Sequence, residues 1–301
     1  MSSRPMRCMM CDDKAFDDMI EYRLRSAALS RREFGALTFG AGLISMLPQV
    51  AGALEVQERD VDIRTPDGTA DAYFVYPATG KHPGVLMWPD IFGLRPAFRQ
   101  MARRLAESGY AVLVVNPFYR TRRAPTAPEH PNFDDPPTRT ALLALKDTLN
   151  AQTAVTDAHA FVGWLDQQPP VDPKRKLATT GYCMSGPITL RTAAALPQRI
   201  GVGASFHGGG LVTDKPDSPH LLIARVKARY LIAIAENDDR SQPEAKDALR
   251  DAFAKAGVPA EIEVYAGTMH GWCPIDSQVY NAAQAEKAWS RMLALLASAP
   301  G

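Results

Sequence analysis

The chain has 301 residues, of which 46% are hydrophobic and 22% charged, and its 34 basic side chains nearly cancel its 33 acidic ones. Those proportions exclude a disordered or collagen-like chain, and four cysteines are too few for a disulfide framework. A net charge of +1 gives no bulk electrostatic footprint for nucleic acid or an anionic membrane.

The N-terminal stretch differs from the rest. Ser30-Arg31-Arg32-Glu33-Phe34 precedes a weakly apolar run from residue 36 to residue 50, and then Ala51-Gly52-Ala53. Positive charge, a short apolar run and small residues one position apart follow the order of an export signal. The arginine pair with Phe34 just beyond it resembles the twin-arginine signal, which sends folded proteins across the bacterial inner membrane. Gly40, Gly42 and Pro48 break the run, which is shorter than the ~20 apolar residues of a membrane span. The expectation is a signal and N-terminal extension over residues 1–53, and a single domain over residues 54–301 that is periplasmic, or cytoplasmic if the signal is not used. The twin-arginine machinery is its expected export partner, with no other membrane association. Cys8-Met9-Met10-Cys11 is a single CxxC pair, half of a zinc site.

Beyond residue 60, β-rich apolar runs alternate with helical patterns. Strands are predicted at 61–64, 70–76, 84–88, 111–116, 177–182, 202–206, 229–235 and 260–265. The first two are joined across the turn-forming Thr65-Pro66-Asp67-Gly68. Ala111-Val112-Leu113-Val114-Val115 is apolar throughout, as suits a parallel strand buried on both faces. Helices are predicted at 96–108, 153–168, 186–196, 243–256 and 279–297. Two of these open on Pro and stop at Gly109 and Gly257, in keeping with helix-end geometry. This alternation predicts an α/β protein with an eight-stranded, mainly parallel sheet and helices on both faces. The Pro-rich stretch from 120 to 137 reads as a long excursion over the C-terminal edge of the sheet, where α/β ligand sites lie.

Gly181-Tyr182-Cys183-Met184-Ser185-Gly186 follows a strand and precedes a helix. This is the setting of a nucleophile elbow, whose sharp turn exposes its central side chain and needs small neighbours. Here the central residue is Cys183, and a thiol is activated by a helix N-terminus and a nearby imidazole. The base belongs after the last strand, where Gly267-Thr268-Met269-His270-Gly271-Trp272 stands; the orienting carboxylate belongs after the strand at 229–235, in Glu236-Asn237-Asp238-Asp239. The order Cys, Asp, His is that of α/β-hydrolases, and the pattern leaves Asp238 and Asp239 open. His207, in Phe206-His207-Gly208-Gly209-Gly210, lies after the nucleophile helix, the wrong place for an HGGG oxyanion motif, and reads as a loop residue near the sheet edge. Oxyanion N–H groups are expected from Met184 and from the segment Pro89-Asp90-Ile91-Phe92-Gly93. No spacing suggests a metal site, and no cofactor is implied.

Trp88-Pro89-Asp90-Ile91-Phe92-Gly93, the Cys183 elbow and Gly267-Thr268-Met269-His270-Gly271 together resemble the dienelactone hydrolase family over about residues 56–297. The resemblance implies an α/β-hydrolase fold and a Cys-Asp-His triad that opens lactones or cleaves small esters. Cys183 is then the nucleophile and His270 the base. Asp239, four residues before Pro243, is the preferred acid, and Ile91 and Met184 supply the oxyanion N–H groups. Asp90 stands where well-known members carry a Glu that gates the thiol. Pro274 stands where they carry an Arg for a substrate carboxylate, with Arg120 and Arg139 as possible substitutes. Trp88, Phe92, Phe118, Tyr119 and Trp272, near strand ends, are expected beside Arg120 as pocket lining. The expected partner is a small-molecule ester or lactone. Competing readings are a Cys-dependent acyltransferase or thioesterase, and a non-catalytic binding protein of the same fold. Cys183 and Cys273 are expected to remain unpaired.

Overall fold

The computed structural model describes residues 47–48, 50–129 and 131–299; the twin-arginine motif lies outside them. Among the described residues no helix is long and apolar enough to cross a membrane.

Strands β1 (Val56–Thr65) and β2 (Gly68–Pro77) form an antiparallel hairpin in which Thr65 faces Gly68. β1 begins five residues before its apolar core suggests. It is an edge strand whose only buried residue is Ile63, so backbone pairing to β2 sets its length. The remaining strands are β3 (Gly84–Trp88), β4 (Ala111–Val115), β5 (Leu177–Tyr182), β6 (Ile200–Phe206), β7 (Arg229–Ala235) and β8 (Ala260–Tyr265). Together they make one eight-stranded sheet in the order β1-β2-β4-β3-β5-β6-β7-β8. It is antiparallel at β1/β2 and β2/β4 and parallel elsewhere.

The helices are α1 (Pro96–Glu107), α2 (Pro136–Lys146), α3 (Ala151–Asp166), α4 (Gly186–Ala195), α5 (Glu236–Ser241), α6 (Ala245–Ala256) and α7 (Ala282–Ala297). The period-2 geometry of the central strands divides their side chains between two cores. Leu113 and Val115 join Phe161 of α3, Leu190 of α4 and Phe253 of α6. Val112 and Val114 face the other way, onto Phe98 of α1 and Met292 of α7. All of these side chains are at most 2% exposed, so each contributes about 1.5–3 kcal/mol of burial.

Helix α2 occupies the end of the stretch read as an open excursion. Pro136 and Pro137 sit in its first turn, where a missing N–H costs nothing. The carboxylate of Asp135 caps it by accepting from Thr138 N at 3.0 Å. Prolines that look like breakers therefore start a helix here.

The chain passes from β3 outward to β4 and returns to lay β5 on the other side of β3. That reversal opens a crevice beyond the C-terminal ends of β3 and β5, the usual ligand position in an open α/β sheet. Packing at the crevice floor is close. A Cβ on Gly186 would stand 2.6 Å from the Gly208 Cα and 2.5 Å from Ser205 Oγ. Because backbone has to move, Gly186→Ala is expected to cost about 2 kcal/mol or more and to lower Tm by about 5 °C or more in a thermal melt; an unchanged Tm contradicts this packing account.

Candidate active site

Cys183 opens a short 3-10 turn (Cys183–Ser185) between β5 and α4, with φ at +56°. For a residue with a side chain this left-handed conformation costs about 1–3 kcal/mol and has to be held in place by its surroundings. Ser185, fully buried, donates from Oγ to the Pro89 carbonyl at 2.5 Å and so ties the turn to the loop after β3. Gly181 lets the turn close, since a Cβ there would lie 2.4 Å from the Ser185 carbonyl oxygen. Ile91, Met184 and Phe118 pack with Cys183 in a small apolar cluster under this crossing.

Three successive residues after β7 grip the loop after β8. Glu236 Oε2 accepts from Gly267 N at 2.5 Å, and Asn237 Oδ1 from His270 N at 2.8 Å. Asp238 Oδ2 lies 2.8 Å from His270 Nδ1. An ionised carboxylate only accepts, so Nδ1 carries the proton and Nε2 is left for the thiol side. Burial alone would lower the His270 pKa. The charges of Asp238 and then Cys183 outweigh it and hold the pKa well above the ordinary imidazole value. Nε2 has no hydrogen-bond partner, and His270 and Cys183 line the same cleft.

The acid beside His270 is therefore Asp238, and the expectation of Asp239 is corrected. Both lie on α5, where successive side chains diverge by about 100°. Asp239 turns away to accept from Lys246 Nζ at 2.7 Å.

The cleft above Cys183 is open to solvent at its mouth. Segments 131–134 and 276–279 line it, together with Ile91 and Phe92. His207 also lines it and was missed by the sequence reading. It is fully buried, has φ at +40° and sets its ring 5.1 Å from that of His270, edge to face. Both its ring nitrogens are without a protein partner, and burial, then the His270 charge, pushes its pKa well below the ordinary value. His207 is accordingly a neutral, polar element of the wall.

Arg95, also unforeseen, lies between two acids of the cleft. Nη1 and Nη2 donate to the two oxygens of Asp90 at 2.6 and 2.9 Å, while Nε and Nη2 donate to those of Asp276 at 2.6 and 2.9 Å. Asp90, expected over the thiol, is thus turned onto Arg95 and also accepts from Phe92 N at 2.9 Å. An Asp is one methylene shorter than a Glu, and this guanidinium claims both its oxygens.

Of the expected lining residues, Phe92 is in the cleft wall and the others are not. Trp88 points into the α3-side core and donates from Nε1 to Thr179 Oγ1 at 3.2 Å. Phe118 is buried beneath the elbow, and Trp272 stacks on Tyr265 with centroids 4.8 Å apart. Tyr119 donates to Asp157 at 2.7 Å; Arg120 pairs with the same Asp157 and with Asp67. Arg139, on α2, does not line the cleft either. Cys183 and Cys273 are free thiols, and burial among aromatic residues of the α1/α7 core pushes the Cys273 pKa well up. No group of three or more His, Cys, Asp or Glu among the described residues is arranged to hold a metal ion.

The sheet order, with a strained cysteine at the switch point and a histidine delivered from beyond the last strand, places the chain among proteins of the α/β-hydrolase fold. The profile of the dienelactone hydrolase family matches residues 70–299, and the chain belongs to that family of carboxylic ester hydrolases. It is 27% identical over 231 residues to a carboxymethylenebutenolidase of Rhodococcus opacus, an alignment covering 76% of this chain and 84% of the relative. A dienelactone hydrolase candidate from Klebsiella pneumoniae subsp. pneumoniae shares the fold with a TM-score of 0.71 at 24% identity, over 81% of this chain and 99% of that one. A dienelactone hydrolase-like promiscuous phosphotriesterase from metagenomic libraries does so with a TM-score of 0.66 at 23% identity, over 83% of this chain and all of that one.

Because the carboxylate raises the His270 pKa, Asp238→Asn is expected to lower it. The stability tied to the raised value is present below the ordinary imidazole pKa of about 6.5 and is lost as pH climbs through the raised one. Titration of the His270 ring by NMR in both proteins checks the direction; an unmoved midpoint contradicts it.

Proposed function

We propose that the protein hydrolyses small carboxylic esters or lactones by covalent catalysis at Cys183, with His270 as acid and base and Asp238 as its orienting partner. The observation that carries this reading is the His270 ring, bonded to Asp238 at 2.8 Å on one nitrogen and without a partner on the other, in the cleft that Cys183 also lines. The Cys183 sulfur attacks the carbonyl carbon as the thiolate, the nucleophilic form of a cysteine. The backbone N–H groups of Ile91 and Met184 hold the developing oxyanion. The tetrahedral intermediate collapses as His270 Nε2 gives its proton to the leaving alkoxide, and the acyl group remains on sulfur as a thioester. Water then attacks that carbonyl while His270 takes its proton. The acid product leaves with regeneration of the thiolate and imidazolium. Water as final acceptor separates this from an acyltransferase, and an ester or lactone substrate separates it from a thioesterase.

Initial rates with p-nitrophenyl acetate and a simple aryl lactone test the scheme. Cys183→Ala is expected to lose about 10³-fold or more, and Asp238→Asn about 10²–10⁴-fold, by analogy with other triads. Asp239→Asn, whose carboxylate is turned away from His270 onto Lys246, is expected to stay within about threefold. Wild-type rates in Cys183→Ala sink the assignment, and preferential transfer to an added alcohol re-assigns the acceptor. Because Cys273 is buried in the α1/α7 core, mild reductant is expected to leave the rate unchanged.

We further infer export to the periplasm by the twin-arginine route, from Arg31, Arg32 and the run that follows them. Replacing both arginines by lysine is expected to leave the protein in the cytoplasmic fraction; unaltered partitioning removes this reading.

A further inference from the structure

We infer that the substrate carries no negative charge: the cleft admits neutral or cationic esters and lactones and rejects carboxylate-bearing ones. The inference rests on the hydrolase reading above and specifies its substrate class. Arg95 is the one Lys or Arg among the described residues lining the cleft, and it has nothing left to offer an anion. A guanidinium has five N–H donors. Here five contacts use them: one each from Nε and Nη1 and two from Nη2 to the two carboxylates, and a longer one of 3.3 Å from Nη1 to the Gly93 carbonyl. Two carboxylates against one guanidinium leave this cluster with a net negative charge. Asp90 and the guanidinium are buried, so their places are fixed, whereas the Asp276 side chain is 34% exposed and meets what enters.

The remaining described lining adds no second Lys or Arg: Asn132, Ser277 and Gln278 bring neutral polar groups, Asp134 a further carboxylate, and His270 is engaged by Asp238. Ile91, Phe92, Phe133 and Val279 are apolar, and His207 is held neutral by its burial. An uncharged acyl or alcohol group loses nothing by desolvation against such walls, whereas an unpaired carboxylate loses its water and meets like charge. A cation gains from Asp276 without displacing any bond it makes.

Matched aryl acetates test this: para-acetoxybenzoate, its methyl ester and the para-acetoxyphenyl trimethylammonium ion, each rate normalised to that with hydroxide. With wild-type protein, kcat/KM for the neutral ester is expected to exceed that for the anion by about tenfold or more. The cation should be cleaved at least as well as the neutral ester, and added salt should narrow the spread. Asp276→Asn removes the exposed charge and frees donors of Arg95, so the anion-to-neutral ratio is expected to rise about threefold or more. Should that variant fold poorly, the salt dependence of the wild type still decides. Anion cleavage equal to or faster than that of the methyl ester overturns the inference while leaving the hydrolase reading intact. Absence of Cys183-dependent cleavage of all three overturns both.

Discussion

The site depends on one backbone conformation, the left-handed Cys183. A residue with a Cβ does not adopt φ near +56° unprompted, and here the prompting comes from both ends of the turn. Ser185 is bonded to Pro89 across the switch point, and Gly181 and Gly186 permit approaches that any Cβ would prevent. The same arrangement lifts the sulfur to the C-terminal edge of the sheet and brings the β3 loop, with Ile91, against Met184. Strain at the turn, closeness of the β3 loop and presentation of the sulfur are one structural fact.

The second half of the site is built by a different device. Glu236, Asn237 and Asp238 leave β7 in sequence and each bonds a different group of the 267–270 loop: two backbone amides and one ring nitrogen. The histidine is thereby fixed in position by its own main chain and in orientation by its ring. Its elevated pKa follows from neighbours on both sides, one of which is the sulfur itself.

Much of this was legible in the sequence because it is local. The elbow around Cys183 is a six-residue motif, and His270 sits in a short glycine-flanked segment after the last strand. All eight strands showed in their apolar runs, though the polar first half of β1 did not, since an edge strand needs no buried face. What escaped depends on helical phase or on distance along the chain. Asp238 and Asp239 differ by one helical step, and only the position of Lys246 decides which one faces away. Arg95 is saturated by an acid 181 residues downstream, a pairing no local pattern reveals. Aromatics near strand ends looked like pocket walls, but the pleat sends Trp88 into the core. His207 carried a signal in its Phe-His-Gly context after β6, at the edge where α/β sites form, and its neighbour across the cleft gave it meaning.

The cleft draws its floor and its walls from different parts of the architecture. The floor is made of strand ends locked into the two cores, where a single added carbon collides with backbone. The walls come from segments 131–134 and 276–279, which belong to no strand or helix. A lineage could exchange these outer segments, and with them its diet of molecules, while inheriting the reacting groups untouched. Diversification would then proceed at the rim, and the interior would change only at the risk of losing the fold.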